Sequence, residues 1–373
     1  MKIHSTFHKV CKSLLVSGFI SIPIFTSSSV FAAELPTIEL ESMSDDTCEW
    51  TTEETDACAE YFSYDAASGV LDLKTPIKAL SISNFDNLII GNSSDITVAE
   101  VLEIESSAVE FRGPGKLVVN GDGIYTEFSS LVFSGGSNIV ATRIGGTVLA
   151  NLGAITIEEG SISTHFLSGS RITMNNGALE VTSSSDYSWG AGILGTEVIE
   201  FNGGTTTIKG FKSPLDLVFA GIVGIFYDDE NATSIKFNGG TVDFVDNLVA
   251  FGVMQEFDDP SFARDLSSTI SFGPKMGIVQ EYTTYTDILD LAKTYFTEDM
   301  LQDYLTDSGL NDILAHIQIY AVTNPEKHIT VREIPDEAPI ENPSTSDHII
   351  FYIAGLAAVV VLGFCGKRFL ARH

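Results

Sequence analysis

The chain has 373 residues, with 20 Lys and Arg against 50 Asp and Glu, for a formal net charge of −30 at pH 7. Length admits one large domain or two ordinary ones, and the acidity excludes a nucleic-acid partner, which needs clustered basic side chains on phosphates. Solubility on a crowded surface and cation binding are the uses open to such charge, solubility being the blander.

Residues 1–33 begin with Lys2, Lys9 and Lys12, continue through the apolar run SLLVSGFISIPIF and end in SVFAA. Small residues at the cleavage positions, and an apolar run that is short and holds Pro23, point to an export signal peptide rather than a membrane anchor. Residues 34–70 then read as an N-terminal cap, shielding the open end of the structure that follows. They carry Cys48 and Cys58, in CEWTTEETDAC; the other two cysteines are Cys11 in the signal and Cys365 near the C-terminus. A disulfide between Cys48 and Cys58 would close a small loop, stabilising by roughly 2.5–3 kcal/mol on the loop-entropy account. Two free thiols are the alternative, and a metal site is poorer because no histidine lies nearby.

From residue 71 to 283 the sequence repeats itself. Aligned on the apolar residue before a glycine turn, seven phrases read VEFRGPGKLVV, LVFSGGSNIVA, ITIEEGSISTH, ITMNNGALEVT, IEFNGGTTTIK, IKFNGGTVDFV and ISFGPKMGIVQ. LSISNFDNLIIG and ITVAEVLEIE upstream are looser versions. Each joins an apolar-x-apolar pair, a Gly- and Asn-rich turn and a second alternating run, which is the pattern of half-buried strands and tight bends. Phe111, Phe133, Ile157, Met174, Phe201, Phe237 and Phe272 fall 22, 24, 17, 27, 36 and 35 residues apart. Such intervals match one turn of a solenoid, later turns being lengthened by loops. The fold expected is therefore all-β: a single-stranded parallel β-helix, right-handed by the general rule for parallel crossovers, with these seven residues stacked in one internal column. An antiparallel β-sandwich would alternate too, but gives no reason for like side chains at like phase.

TDILDLAKTYF and TEDMLQDYL, between residues 286 and 305, have apolar residues at helical spacing. With the strands HIQIYAV and HITVREI after them, they make residues 284–333 a C-terminal cap of helices and strands. A Pro- and acid-rich linker spans 334–347. HIIFYIAGLAAVVVLGFC, residues 348–365, contains no Asp, Glu, Lys or Arg. At about 27 Å as a helix it is long enough to cross a bilayer. Lys367, Arg368 and Arg372 in the tail 366–373 would stay inside.

Two resemblances bear on function. The run ENPSTSD, apolar span and basic tail resemble the sorting signal of sortase-anchored surface proteins of Gram-positive bacteria. That resemblance implies cutting between Thr345 and Ser346 by a membrane transpeptidase and attachment to the cell wall. Asn342, Pro343, Thr345 and Ser346 form an NPxT-type variant of the commoner LPxTG motif, with Ser where Gly is usual; a plain membrane anchor with a flexible stalk is the alternative. The FNGGT phrases, with WGAGILG from Trp189, resemble β-helix repeats of bacterial surface proteins labelled as carbohydrate-binding, on a pectin-lyase-like fold.

Polysaccharide lyases and hydrolases also use such folds. A lyase needs a basic proton acceptor and commonly carboxylates holding calcium; a hydrolase needs two or three carboxylates on one groove. Between residues 105 and 280 the arginines are Arg112, Arg143, Arg171 and Arg264 and the one histidine is His165. None recurs beside a carboxylate cluster, so no catalytic residue is assigned. Candidate ligand or calcium loops are Asp228-Asp229-Glu230, Asp243 with Asp246, and Asp258-Asp259. Tyr187 and Trp189 could stack on a sugar ring. Solvated charge and ordinary loop packing are the alternatives. The reading reached is an exported surface protein that binds or adheres to a glycan or host-surface ligand, with calcium the only cofactor entertained; a polysaccharide-degrading enzyme and a structural spacer are the rivals.

Overall fold

A computed structural model describes residues 35–41, 48–49, 61–65, 67–146, 152–184, 191–211, 220–226, 233–256, 265–295 and 317–334. They form an all-β body of 28 strands in one connected, mostly parallel sheet. Its pairings fall into three ladders, each strand bonding to its counterpart one turn of chain further on. In the first ladder Ile38, Leu80, Leu102, Ile124, Ile144, Leu167, Ile193, Ile222 and Phe251 are successive register partners. In the second the partners are Leu71, Ile90, Phe111, Phe133, Ile157, Met174, Phe201, Phe237 and Phe272. The third runs through Ile77, Val98, Val119, Ala141, Thr164, Val181, Ile208 and Phe244. A chain that visits three ladders in order and then adds one strand to each is compatible with a β-helix and incompatible with an antiparallel sandwich.

The seven residues aligned from sequence are thus all register partners in one ladder. Six are buried at 0–1% exposure. Phe111 stacks on Phe133 with ring centroids 5.1 Å apart and planes 12° apart, and Phe201 on Phe237 at 5.4 Å and 8°. Identical rings at identical phase must lie face to face when strands sit about 4.8 Å apart, so the spacing is imposed by the backbone. Phe272 departs from the expected internal column: it stacks on Phe237 at 5.4 Å but is 40% exposed. Ile270–Phe272 is the last strand of its ladder, so among the described residues its far side has no next rung.

The glycine turns explain themselves in the same way. In FNGGT the second glycine is left-handed, Gly204 at φ 71° and Gly240 at φ 76°. A Cβ on Gly240 would lie 2.6 Å from Gly203 C and Gly204 O of the turn below, so the corner needs glycine for both φ and space. Beside it Asn175, Asn202 and Asn238 form a ladder, each later amide nitrogen donating to the earlier amide oxygen at 2.9 Å.

The ends are closed by strands. Phe62–Asp65 pairs antiparallel with Val70–Leu73, and Thr37–Glu41 joins Ile77–Ser83 in parallel. At the other end Ile317–Thr323 covers Val249–Glu256, and His328–Glu333 covers Thr241–Val245, both antiparallel. Of the expected helical cover, α1, Ile288–Tyr295, is described; TEDMLQDYL falls in 296–316, outside the described residues. Strands suit this job because the last rungs present unpaired N–H and C=O groups, which another backbone can satisfy and a helix cannot.

Candidate functional site

The insertions that lengthen the later turns are not scattered. Residues 185–190 and 212–219 lead into Ala191–Phe201 and Ala220–Phe226, whose first residues Ala191 and Ala220 are register partners. Residues 227–232 leave the end of Ala220–Phe226, and 257–264 leave the end of Val249–Glu256, where Phe226 pairs with Gln255. Chain entering and leaving the last three strands of the first ladder therefore carries every long insertion of this half. Tyr187 and Trp189 belong to segments on the entry side. Asp228, Asp229, Asp258 and Asp259 belong to segments that depart from neighbouring strands on the exit side. All six of these side chains lie outside the described residues, as do Glu230, Cys58 and the sorting-motif residues Asn342, Pro343, Thr345 and Ser346. Cys48 is placed only by its backbone, opposite Leu40.

Gln255 lies beneath the exit side. It is fully buried, and neither its Nε2 nor its Oε1 has a hydrogen-bond partner among the described residues.

Other residues singled out from sequence have structural work. Asp243 Oδ1 accepts from Thr330 Oγ1 at 2.7 Å and so ties the closing strand His328–Glu333 to the last turn, which separates it from the ligand loops. Asp246 turns the chain at φ 59°. His165 Nδ1 donates to the Thr182 carbonyl at 2.8 Å, the role of a structural histidine. Arg143 is buried, donates from Nε to the Asp122 carbonyl at 3.2 Å and covers the Tyr125 ring at 5.3 Å.

Arg112 makes a bidentate pair with Glu110, both contacts at 2.7 Å, and Ser134 Oγ also donates to Glu110. Burial pushes the Glu110 carboxyl up, but these hydrogen bonds and the guanidinium charge together hold it below its ordinary value. The group stays ionised, a poor proton donor. Arg171 reaches Glu197 at 3.4 Å as a single exposed pair. No group of three or more His, Cys, Asp or Glu side chains that could hold a metal ion occurs among the described residues. Nor is any helix among them long and apolar enough to cross a membrane; residues 348–365 lie outside them.

One feature escaped the sequence reading. At the corner between the first and second ladders, successive turns place Asn84, Ser106 and Phe128 at φ 62°, 48° and 51°. Phe128 is 63% exposed. Their common spacing of 22 residues was available in the sequence, but the repeat is most visible at the glycine corner, and this corner is filled by dissimilar residues. Compared with known proteins, the chain matches no family model, no curated protein and no solved structure.

Proposed function

We propose that this chain is an exported right-handed parallel β-helix, carried to the surface of a Gram-positive cell and held there by its C-terminal signal, whose task is to bind a glycan or host-surface ligand. The observation that carries the reading is the placement of insertions. A solenoid built only as a spacer would gain nothing from loops gathered on the two sides of one ladder, whereas a binding protein needs its variable segments on a common rigid face. The register pairs Ala191 with Ala220 and Phe226 with Gln255 give the loops that neighbourhood. Their composition, with five acidic residues on the exit side and aromatic residues on both, suits sugar hydroxyls and faces, with calcium as a bridge where carboxylates meet.

In this reading the signal 1–33 is removed, the linker 334–347 lifts the β body from the surface, and a sortase-type transpeptidase reads Asn342 to Ser346. The test is a glycan array probed with the full-length chain in mild detergent, with calcium and with a chelator. Retention of a defined set of glycans is expected, weakened by the chelator if the exit-side carboxylates share a cation. Absence of binding in both conditions, accompanied by turnover of a polysaccharide, would overturn the reading in favour of an enzyme.

A further inference from the structure

The corner that holds Asn84, Ser106 and Phe128 breaks a local rule. Left-handed backbone is tolerated by Asn because its short side chain bonds locally, and it is strained for a bulky aromatic residue. Phe128 takes it at φ 51° and leaves its ring 63% exposed. Among the described residues no aromatic ring or cation pairs with it. The stacking bonds of this corner are made by its neighbours: the Phe85 N–H donates to Ser107 Oγ at 3.0 Å, and the Ser107 N–H to Ser129 Oγ at 3.1 Å. Ser129 Oγ in turn shares its one proton between the Ile104 and Glu127 carbonyls, 3.0 Å and 2.8 Å away. Strain without a structural return is the mark of a position kept for a ligand.

The ring flanks a shallow open groove of about 480 Å³ that crosses these turns. Asp86, Ser106, Ser130, Leu152 and Ala154 line it as well. No described lining residue is basic, and the chain as a whole carries −30, so an anionic ligand is repelled. A flat apolar face beside hydroxyls and one acceptor carboxylate matches a neutral sugar ring, which offers C–H groups on its face and hydroxyls at its edge. We infer that this groove is a sugar-binding subsite, with Phe128 the stacking platform and Asp86 the hydroxyl acceptor. It rests on the glycan-binding reading but lies on the early turns, apart from the long insertions of the later ones.

The test compares the full-length chain with its Phe128→Asn and Asp86→Asn variants on the same glycan array, with thermal unfolding measured in parallel. Asn stands at this position two turns earlier, so Phe128→Asn should keep the fold and raise Tm slightly, by about 1–2 °C. Binding to the retained glycans should fall about ten-fold in Phe128→Asn and several-fold in Asp86→Asn. Unchanged binding in both variants would overturn the subsite while leaving the glycan-binding function standing. A wild-type chain that retains no glycan would overturn both. Loss of a protein ligand in Phe128→Asn with glycan binding intact would reassign the groove to protein docking and overturn the sugar assignment.

Discussion

Side chains in this molecule fall into two kinds, those that repeat and those that do not, and the second kind holds the chemistry. Asn175, Asn202 and Asn238 repeat, and their amides are used up on one another and on Glu158 and Glu200. Asp287 does not repeat. It precedes α1, and its carboxylate accepts the Asp290 N–H, an N-cap arrangement, while burial, followed by the charge of Asp290, pushes its carboxyl up to about 6. In the unfolded chain it titrates near its ordinary value of 3.8. Between those values the folded form holds the proton more tightly, so its contribution to stability falls as pH rises through the window, and the full penalty stands above about pH 6. Asp287→Asn keeps the cap without the charge. Its Tm should exceed the wild type by about 1–2 °C at pH 7.5 and equal it near pH 4, solvent access having reduced the full effect. A Tm advantage that is the same at both pH values would rule out this ionisation as the source.

At the scale of elements, strands that copy their predecessor were legible, and strands that stop the copying were only partly so. The phrases around Phe111 to Phe272 could be aligned because each must repeat the phase of the turn beneath it; a one-residue slip would turn the buried column outward. The closing strands are used once. HIQIYAV and HITVREI read as strands, but nothing local says that they run antiparallel across the last turns, because that is decided by the unpaired edge they meet. The loops proposed for ligands were legible as insertions and not as a site, since their register neighbours, Ala191 with Ala220 and Phe226 with Gln255, lie 29 residues apart in each case. If these two strands are a cap, a chain ending at Ala315 should leave the edges of Thr241–Val245 and Val249–Glu256 open to a second copy. Sedimentation at increasing concentration should then show dimers and larger species that a chain ending at Ile334 does not form. Equal monomer content in the two truncations would remove the capping role.

For the whole molecule, the pairing pattern sets how it comes apart. Each turn touches only the turn above and the turn below, so stability is close to a sum of turn and interface contributions, and cooperativity depends on an unbroken run of favourable interfaces. Phe133 sits within that run, fully buried, stacked on Phe111 and followed by Ile157. Phe133→Ala removes one ring from the interior column and should cost about 3–5 kcal/mol. Where that cost falls matters more than its size. Phe62, also buried, lies on the N-terminal closing strand, where its loss frays one end and lets the remaining turns unfold together. At Phe133 the same loss weakens the contact between the turns before it and the turns after it, which no longer need to melt at one temperature. Calorimetry should therefore show one shifted transition for Phe62→Ala and a broadened or split transition for Phe133→Ala, with hydrogen exchange fastest around residues 130–133 in the latter. A single sharp transition for Phe133→Ala, with exchange quickened equally on both sides, would mean that the turns are coupled over longer range than stacking alone provides.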